Sequence, residues 1–205
     1  MNRILKSIII VIVLSALASC GIFFTPMEDR WNPADPKNEL ETFNPTVDGY
    51  AHNSSTTWEG ALEQLLAWEK SKIILLRFDT DDFPIVVAAS YLRLWLVAAP
   101  SADTQLSIYR IKSDWEPDPD DLEFYNTVNN RGVFYDDSLV INITIRKSAP
   151  AGEYIEIPLS EVFSGERDDL ANGIIIFSNV PAALTFHSTE SGVSGTAPVL
   201  LVEPE

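Results

Sequence analysis

The chain has 205 residues, 14 Lys and Arg against 30 Asp and Glu, a formal net charge of −16 and one cysteine. So acidic a surface repels phosphate backbones, which excludes nucleic acid as a partner, and a single cysteine excludes an intrachain disulfide framework. The length suits one domain that closes a core of its own.

At the N-terminus, Arg3 and Lys6 precede an unbroken apolar run from Ile8 to Leu14, and the segment closes on Leu17-Ala18-Ser19-Cys20. This reads as a lipoprotein signal peptide over residues 1–19, cut before Cys20, whose thiol then carries the lipid. The alternative is an uncleaved anchor, because Ser7 to Phe24 is nearly long enough to span a bilayer. Lipidated Cys20 would hold the protein to a membrane of the cell envelope. Gly21 stands where an aspartate would favour inner-membrane retention, so in a host with two membranes the outer one is expected. Residues 20–45 read as the acylated cysteine and a tether. Pro26, Pro33, Pro36 and Pro45 break regular structure there. A coil of that length spans about 25–30 Å.

Residues 46–205 form the domain, and their hydrophobic pattern has period two. Leu92, Leu94 and Leu96 alternate with Tyr91, Arg93 and Trp95, the pattern of a strand with one buried face. Other strands are expected at 73–78, 106–111, 140–145, 154–157, 174–177, 184–187 and 199–202. Asn129-Asn130-Arg131-Gly132, Pro150-Ala151-Gly152 and Asn172-Gly173 punctuate them. The class is all-β: an antiparallel two-sheet β-sandwich. Trp58, Leu62 and Leu65 have helical spacing, but Gly60 weakens a helix. Gln64–Trp68 is read instead as a strand hairpinned to 73–79 through Glu69-Lys70-Ser71. A short crossover helix is expected near 159–170, with Val162, Phe163 and Leu170 inward. The expected core includes Leu75, Phe78, Leu92, Leu94, Leu96, Ile108, Ile143, Ile157, Ile175, Phe177 and Leu200.

Several strings resemble one family. Lys72-Ile73-Ile74-Leu75-Leu76-Arg77-Phe78-Asp79 is similar to its "sxxLLRFDL" strand, and Ala88-Ala89-Ser90-Tyr91-Leu92-Arg93-Leu94-Trp95 to its "IxxAtLRLyv" strand. Ile108-Tyr109-Arg110-Ile111-Lys112-Ser113-Asp114-Trp115-Glu116 resembles "vyrVtsdWdE". Phe186 to Glu190 and Ala197 to Val202 resemble "fySsE" and "PyLeV". The strings run in order through nearly the whole domain and look like those of DNRLRE-domain proteins. The resemblance implies a jelly-roll-like β-sandwich on bacterial surface or secreted proteins, with carbohydrate-binding modules among its relatives. Two loops depart from the family pattern. Pro117-Asp118-Pro119-Asp120-Asp121 replaces a Thr-Trp string, and Ala171-Asn172-Gly173 stands for "NYG".

No G-x-S-x-G, H-E-x-x-H or P-loop string occurs. His52 lies in a polar loop and His187 on a strand, neither within a catalytic motif. With so many carboxylates, some pair always fits a glycosidase spacing, so their presence carries no weight. The reading is a non-enzyme without a cofactor. Asp118, Asp120, Asp121 and Glu123 offer hard oxygens to calcium within six residues, as do Asp79, Asp81 and Asp82, but neither group has a calcium-loop spacing. Solvated acidic loops are the plainer reading of both. Trp58, Trp115, Tyr125 and Tyr135 fall in or beside loops and are the candidate stacking platforms for a sugar ring, against core packing as the alternative. Trp95 and Tyr109, on strands, are read as packing residues. Arg77, Arg93 and Arg110 are expected to lay their stems on the sheet and pair with carboxylates. The expected function is a lipid-anchored binding module, for a neutral glycan, or alternatively an envelope structural or adhesion module that docks a protein.

Overall fold

The computed structural model describes residues 40–205 except 54–57, 61, 70, 118–123 and 181, within one unit, Glu39–Glu205. In chain order the first strands are β1 (Glu41–Phe43), β2 (Pro45–His52), β3 (Trp58–Glu59), β4 (Gln64–Ala67), β5 (Lys72–Phe78) and β6 (Val86–Leu96). Then come β7 (Thr104–Arg110), α1 (Phe124–Val128), β8 (Ile141–Ile145), β9 (Glu153–Pro158) and β10 (Gly165–Glu166). The chain ends with β11 (Ile174–Ser178), β12 (Leu184–His187) and β13 (Val199–Pro204). No helix among the described residues is long and apolar enough to cross a membrane.

Two antiparallel sheets pack face to face, as the sequence pattern predicts. The first runs β1-β13-β6-β12-β4, with β9 and β10 also on β6; the second runs β3-β2-β5-β11-β7-β8. β6 is central to the first sheet. Its Tyr91, Leu92 and Arg93 pair with β13 on one edge and with β9 on the other. The inter-sheet core takes Leu92, Leu94 and Leu96 from β6 and meets Ile74, Leu76 and Phe78 of β5, all with at most 2% of their surface exposed.

The second sheet is buried on both faces along its central strands β5 and β11. Ile73 and Leu75 of β5, with Ile175 and Phe177 of β11, point away from the inter-sheet core into a second apolar cluster. That cluster is closed from outside by Ile111, Trp115, α1, Phe134 and Tyr135. The uninterrupted runs Ile73–Leu76 and Ile174–Phe177 carry this information, since a strand covered on both sides needs no polar alternation. Leu75, Ile175 and Phe177 are therefore buried as expected, but in a different layer from the other predicted core residues.

Three local expectations are revised. The fold starts before residue 46: β1 pairs Glu41, Thr42 and Phe43 with Val202, Leu201 and Leu200, and β2 begins at Pro45. Gln64–Ala67 is a strand, but it pairs with β12 in the first sheet while β5 lies in the second. Only the Trp68–Lys72 bridge remains of the hairpin. Ser71 donates to the Trp68 carbonyl through both N (2.6 Å) and Oγ (2.7 Å). Glu69 takes φ 34° to close that turn. The separation follows from burial: Leu65 and Ala67 supply one apolar face, whereas β5 needs two covered faces.

The crossover over 159–170 is a turn, the two-residue β10 and a 3-10 turn, Arg167–Leu170. Val162 and Phe163 donate to the Leu159 carbonyl, and Gly165 at φ +109° then stops any helix. Val162, Phe163 and Leu170 are nonetheless inward. The one α-helix among the described residues is α1, elsewhere in the chain.

Candidate functional site

The four loop aromatics converge, but into the second apolar cluster rather than onto a surface. Trp58, Trp115, Tyr125 and Tyr135 are 8, 5, 8 and 5% exposed. Trp58 meets Trp115 at 5.8 Å and Phe124 at 5.6 Å, both edge-on. Trp115 donates its indole N–H to the Asn172 carbonyl at 2.8 Å, while the Arg77 guanidinium lies 5.2 Å above its ring. Tyr135 packs on Tyr109 and Phe177 at 4.8 and 5.3 Å. Burial pushes the Tyr125 and Tyr135 hydroxyls above their ordinary pKa. With so little of each ring exposed, the structure favours the core-packing alternative for these four residues over an open stacking platform, although Trp58 also lines the groove described below. Gly49 belongs to the same packing, since a Cβ there would sit 2.5 Å from the Trp58 ring.

The expected arginine pairings are present. Arg77 holds Glu116 at 3.1 Å, Arg93 holds Glu156 at 2.7 Å, and Arg110 lies 3.8 Å from Asp136. Cys20 and the calcium candidates Asp118, Asp120, Asp121 and Glu123 lie outside the described residues. In the other acidic stretch, Asp79 Oδ1 accepts from the Asp81 N–H at 3.0 Å, so it caps a turn. Among the described residues no group of three or more His, Cys, Asp or Glu is placed to hold a metal.

An aromatic surface exists on the opposite side of the molecule. β6 points Leu92, Leu94 and Leu96 inward, so Tyr91, Arg93 and Trp95 face out from the first sheet. Register places Tyr154 of β9 beside Trp95, and Glu156 beside Arg93. Tyr154 and Trp95 are perpendicular at 5.1 Å, and His187 of β12 lies nearly parallel to Trp95 at 6.4 Å. All three rings are half-buried, and the row crosses β9, β6 and β12. Residues 195–197 lie against it: the Tyr154 hydroxyl donates to the Gly195 and Ala197 carbonyls at 2.8 and 3.0 Å. His187 Nδ1 sits 2.6 Å from Thr196 Oγ1. Chemically, the row offers C–H–π surfaces with a guanidinium–carboxylate pair one step along the strand. The sequence reading set Trp95 among packing residues because it lies on a strand. The alternation with three leucines was the signal that it faces outward.

A groove of about 550 Å³ is lined by Val47, Asp48, Trp58, Glu59, Leu62 and Glu190, among others. Asp48 is buried beneath it and accepts from Thr189 N at 2.9 Å and Thr189 Oγ1 at 2.5 Å. Burial pushes its carboxyl up to about 6 against the lowering effect of the Thr189 bonds, and nearby Glu190 adds to the rise. No family model matches the chain, and no curated protein sequence matches it.

Proposed function

We propose that the protein is a non-catalytic binding module, held at the cell envelope by lipidated Cys20, that takes carbohydrate on the outer face of its first sheet. The observation that carries this reading is the half-buried Tyr154–Trp95–His187 row on the outer face of the first sheet, bordered by residues 195–197. Pyranose rings present C–H faces that suit such π surfaces, and Arg93 with Glu156 supplies donors and acceptors for hydroxyls. The resemblance of the strand strings to DNRLRE domains supports the same class. The deciding experiment is a glycan array probed with the full chain, followed by Trp95→Ala. Loss of one stacking contact should weaken binding by about 0.5–1.5 kcal/mol. A clean negative over neutral and anionic glycans would end the carbohydrate reading.

A specific observation favours a second reading, an adhesion or structural module that docks a protein. Leu62, Gln64, Leu66 and Trp68 fall on alternate positions along and beside β4, and Trp68 is 45% exposed. A sheet margin that exposes Leu62 and Trp68 suits a protein partner. Trp68→Ala separates the two readings, because it should spare glycan binding and weaken a protein contact.

A further inference from the structure

The ligand's charge can be read from the pair that flanks the ring row. Arg93 is the only Lys or Arg in any strand of the first sheet. Its Nε lies 2.7 Å from Glu156 Oε2, and both side chains are partly open to solvent, at 44 and 32% exposed. The register that sets Arg93 opposite Glu156 sets Trp95 opposite Tyr154, so the ion pair adjoins the rings on the same face. The chain as a whole is strongly acidic, with a net charge of −16.

An anionic polysaccharide approaching here would meet a repulsive field and a cation already neutralised. A neutral chain meets neither obstacle. Its hydroxyls find the guanidinium N–H groups that Glu156 leaves free, since Nε uses one donor of five, and a carboxylate to accept from them. We infer that Glu156 is a specificity-determining residue: by pairing with Arg93 it makes the outer face of the first sheet select uncharged polysaccharide over polyuronate. This rests on the carbohydrate reading above, which would survive its failure.

The test is titration calorimetry of the full chain in a polyoxyethylene detergent against oligomers of mixed-linkage β-glucan and of polygalacturonate. The unaltered protein should bind the β-glucan and bind polygalacturonate more weakly. Glu156→Gln frees Arg93 and should raise polygalacturonate affinity about two- to fivefold. That gain should vanish at high salt, because it is electrostatic and partly exposed. Combining Arg93→Gln with Glu156→Gln should abolish the gain, which excludes a general loosening of the face. Equal affinity of the unaltered protein for both glycans would overturn the inference and leave the carbohydrate reading standing. So would a Glu156→Gln protein with an unchanged near-ultraviolet spectrum and no gain. If Glu156→Gln does not fold, Arg93→Gln alone decides. It should weaken polygalacturonate binding further through the unpaired Glu156, and no change would overturn the inference. Binding of neither glycan by the unaltered protein would overturn the inference, while the glycan array alone decides the carbohydrate reading.

Discussion

Asp48 on β2 and Thr189 beyond β12 join the two sheets: one buried carboxylate accepts from both the backbone N–H and the hydroxyl of Thr189. Ser188, next in the chain, donates N–H to the Glu63 carbonyl at 3.2 Å and Oγ to the Leu62 carbonyl at 2.5 Å. The turn at 189–191 is thus tied to β2 in the second sheet and to the approach to β4 in the first. The Tyr154 and Thr196 contacts then fix the following loop against the ring row.

That carboxyl makes stability depend on pH. Its folded pKa, about 6, lies above the ordinary value of 3.8. The folded state therefore binds the proton more tightly. The resulting stabilisation is full below about pH 4 and is lost as pH rises through 6. Over that window unfolding free energy should fall by at most about 3 kcal/mol from this group. Urea unfolding at several pH values, with Asp48→Asn alongside, isolates the contribution. The difference between the two proteins should change across pH 4–6 and level off above. A difference that is constant with pH would refute the assignment.

Starting a soluble form at residue 46 would remove β1 and Pro45. It deletes the ladder from Glu41–Phe43 to β13 and the Phe43–Phe83 ring contact at 4.2 Å. A form starting at residue 39 should be more stable by at least about 1 kcal/mol, the worth of such an aromatic pair alone. Thermal unfolding of the two forms side by side measures it, and equal midpoints would show β1 to be dispensable.

Period-two patterning made most strands legible, because each β-strand of a sandwich records in its side chains which face is dry. The same pattern could not say which strands share a sheet. Gln64–Ala67 and β5 are joined by a tight turn yet belong to different sheets, and only the two-sided burial of Ile73–Leu76 distinguishes them. The loop aromatics are ambiguous in the sequence for a related reason. A place in or beside a loop does not fix exposure: Trp115, Tyr125 and Tyr135 belong to the apolar cluster on the outer side of the second sheet, the core-packing alternative. Trp95, on a strand, lies on the outer face because β6 has leucine only at alternate positions.

The anchor reading makes a separate prediction. Replacing Cys20 with Ser removes the only thiol and should release the protein from membranes into the soluble fraction. Fractionation and intact mass give the answer together. Membrane retention of the variant at its full precursor mass would support an uncleaved hydrophobic anchor instead.

The contrast between Trp115 and Trp95 tests the placement of the aromatics directly. Trp115 is 5% exposed, donates to the Asn172 carbonyl and packs on Trp58 and Phe124. Truncating it to alanine opens a cavity between the second sheet and its cover and should cost about 3–5 kcal/mol. Trp95 is half-buried on the outer face. Its alanine variant should cost about 1 kcal/mol, the edge-on contact with Tyr154 being the main loss. Chemical denaturation of both variants beside the parent ranks them. If Trp95→Ala destabilises more than Trp115→Ala, the ring row is part of a packed interior and cannot serve as a binding face.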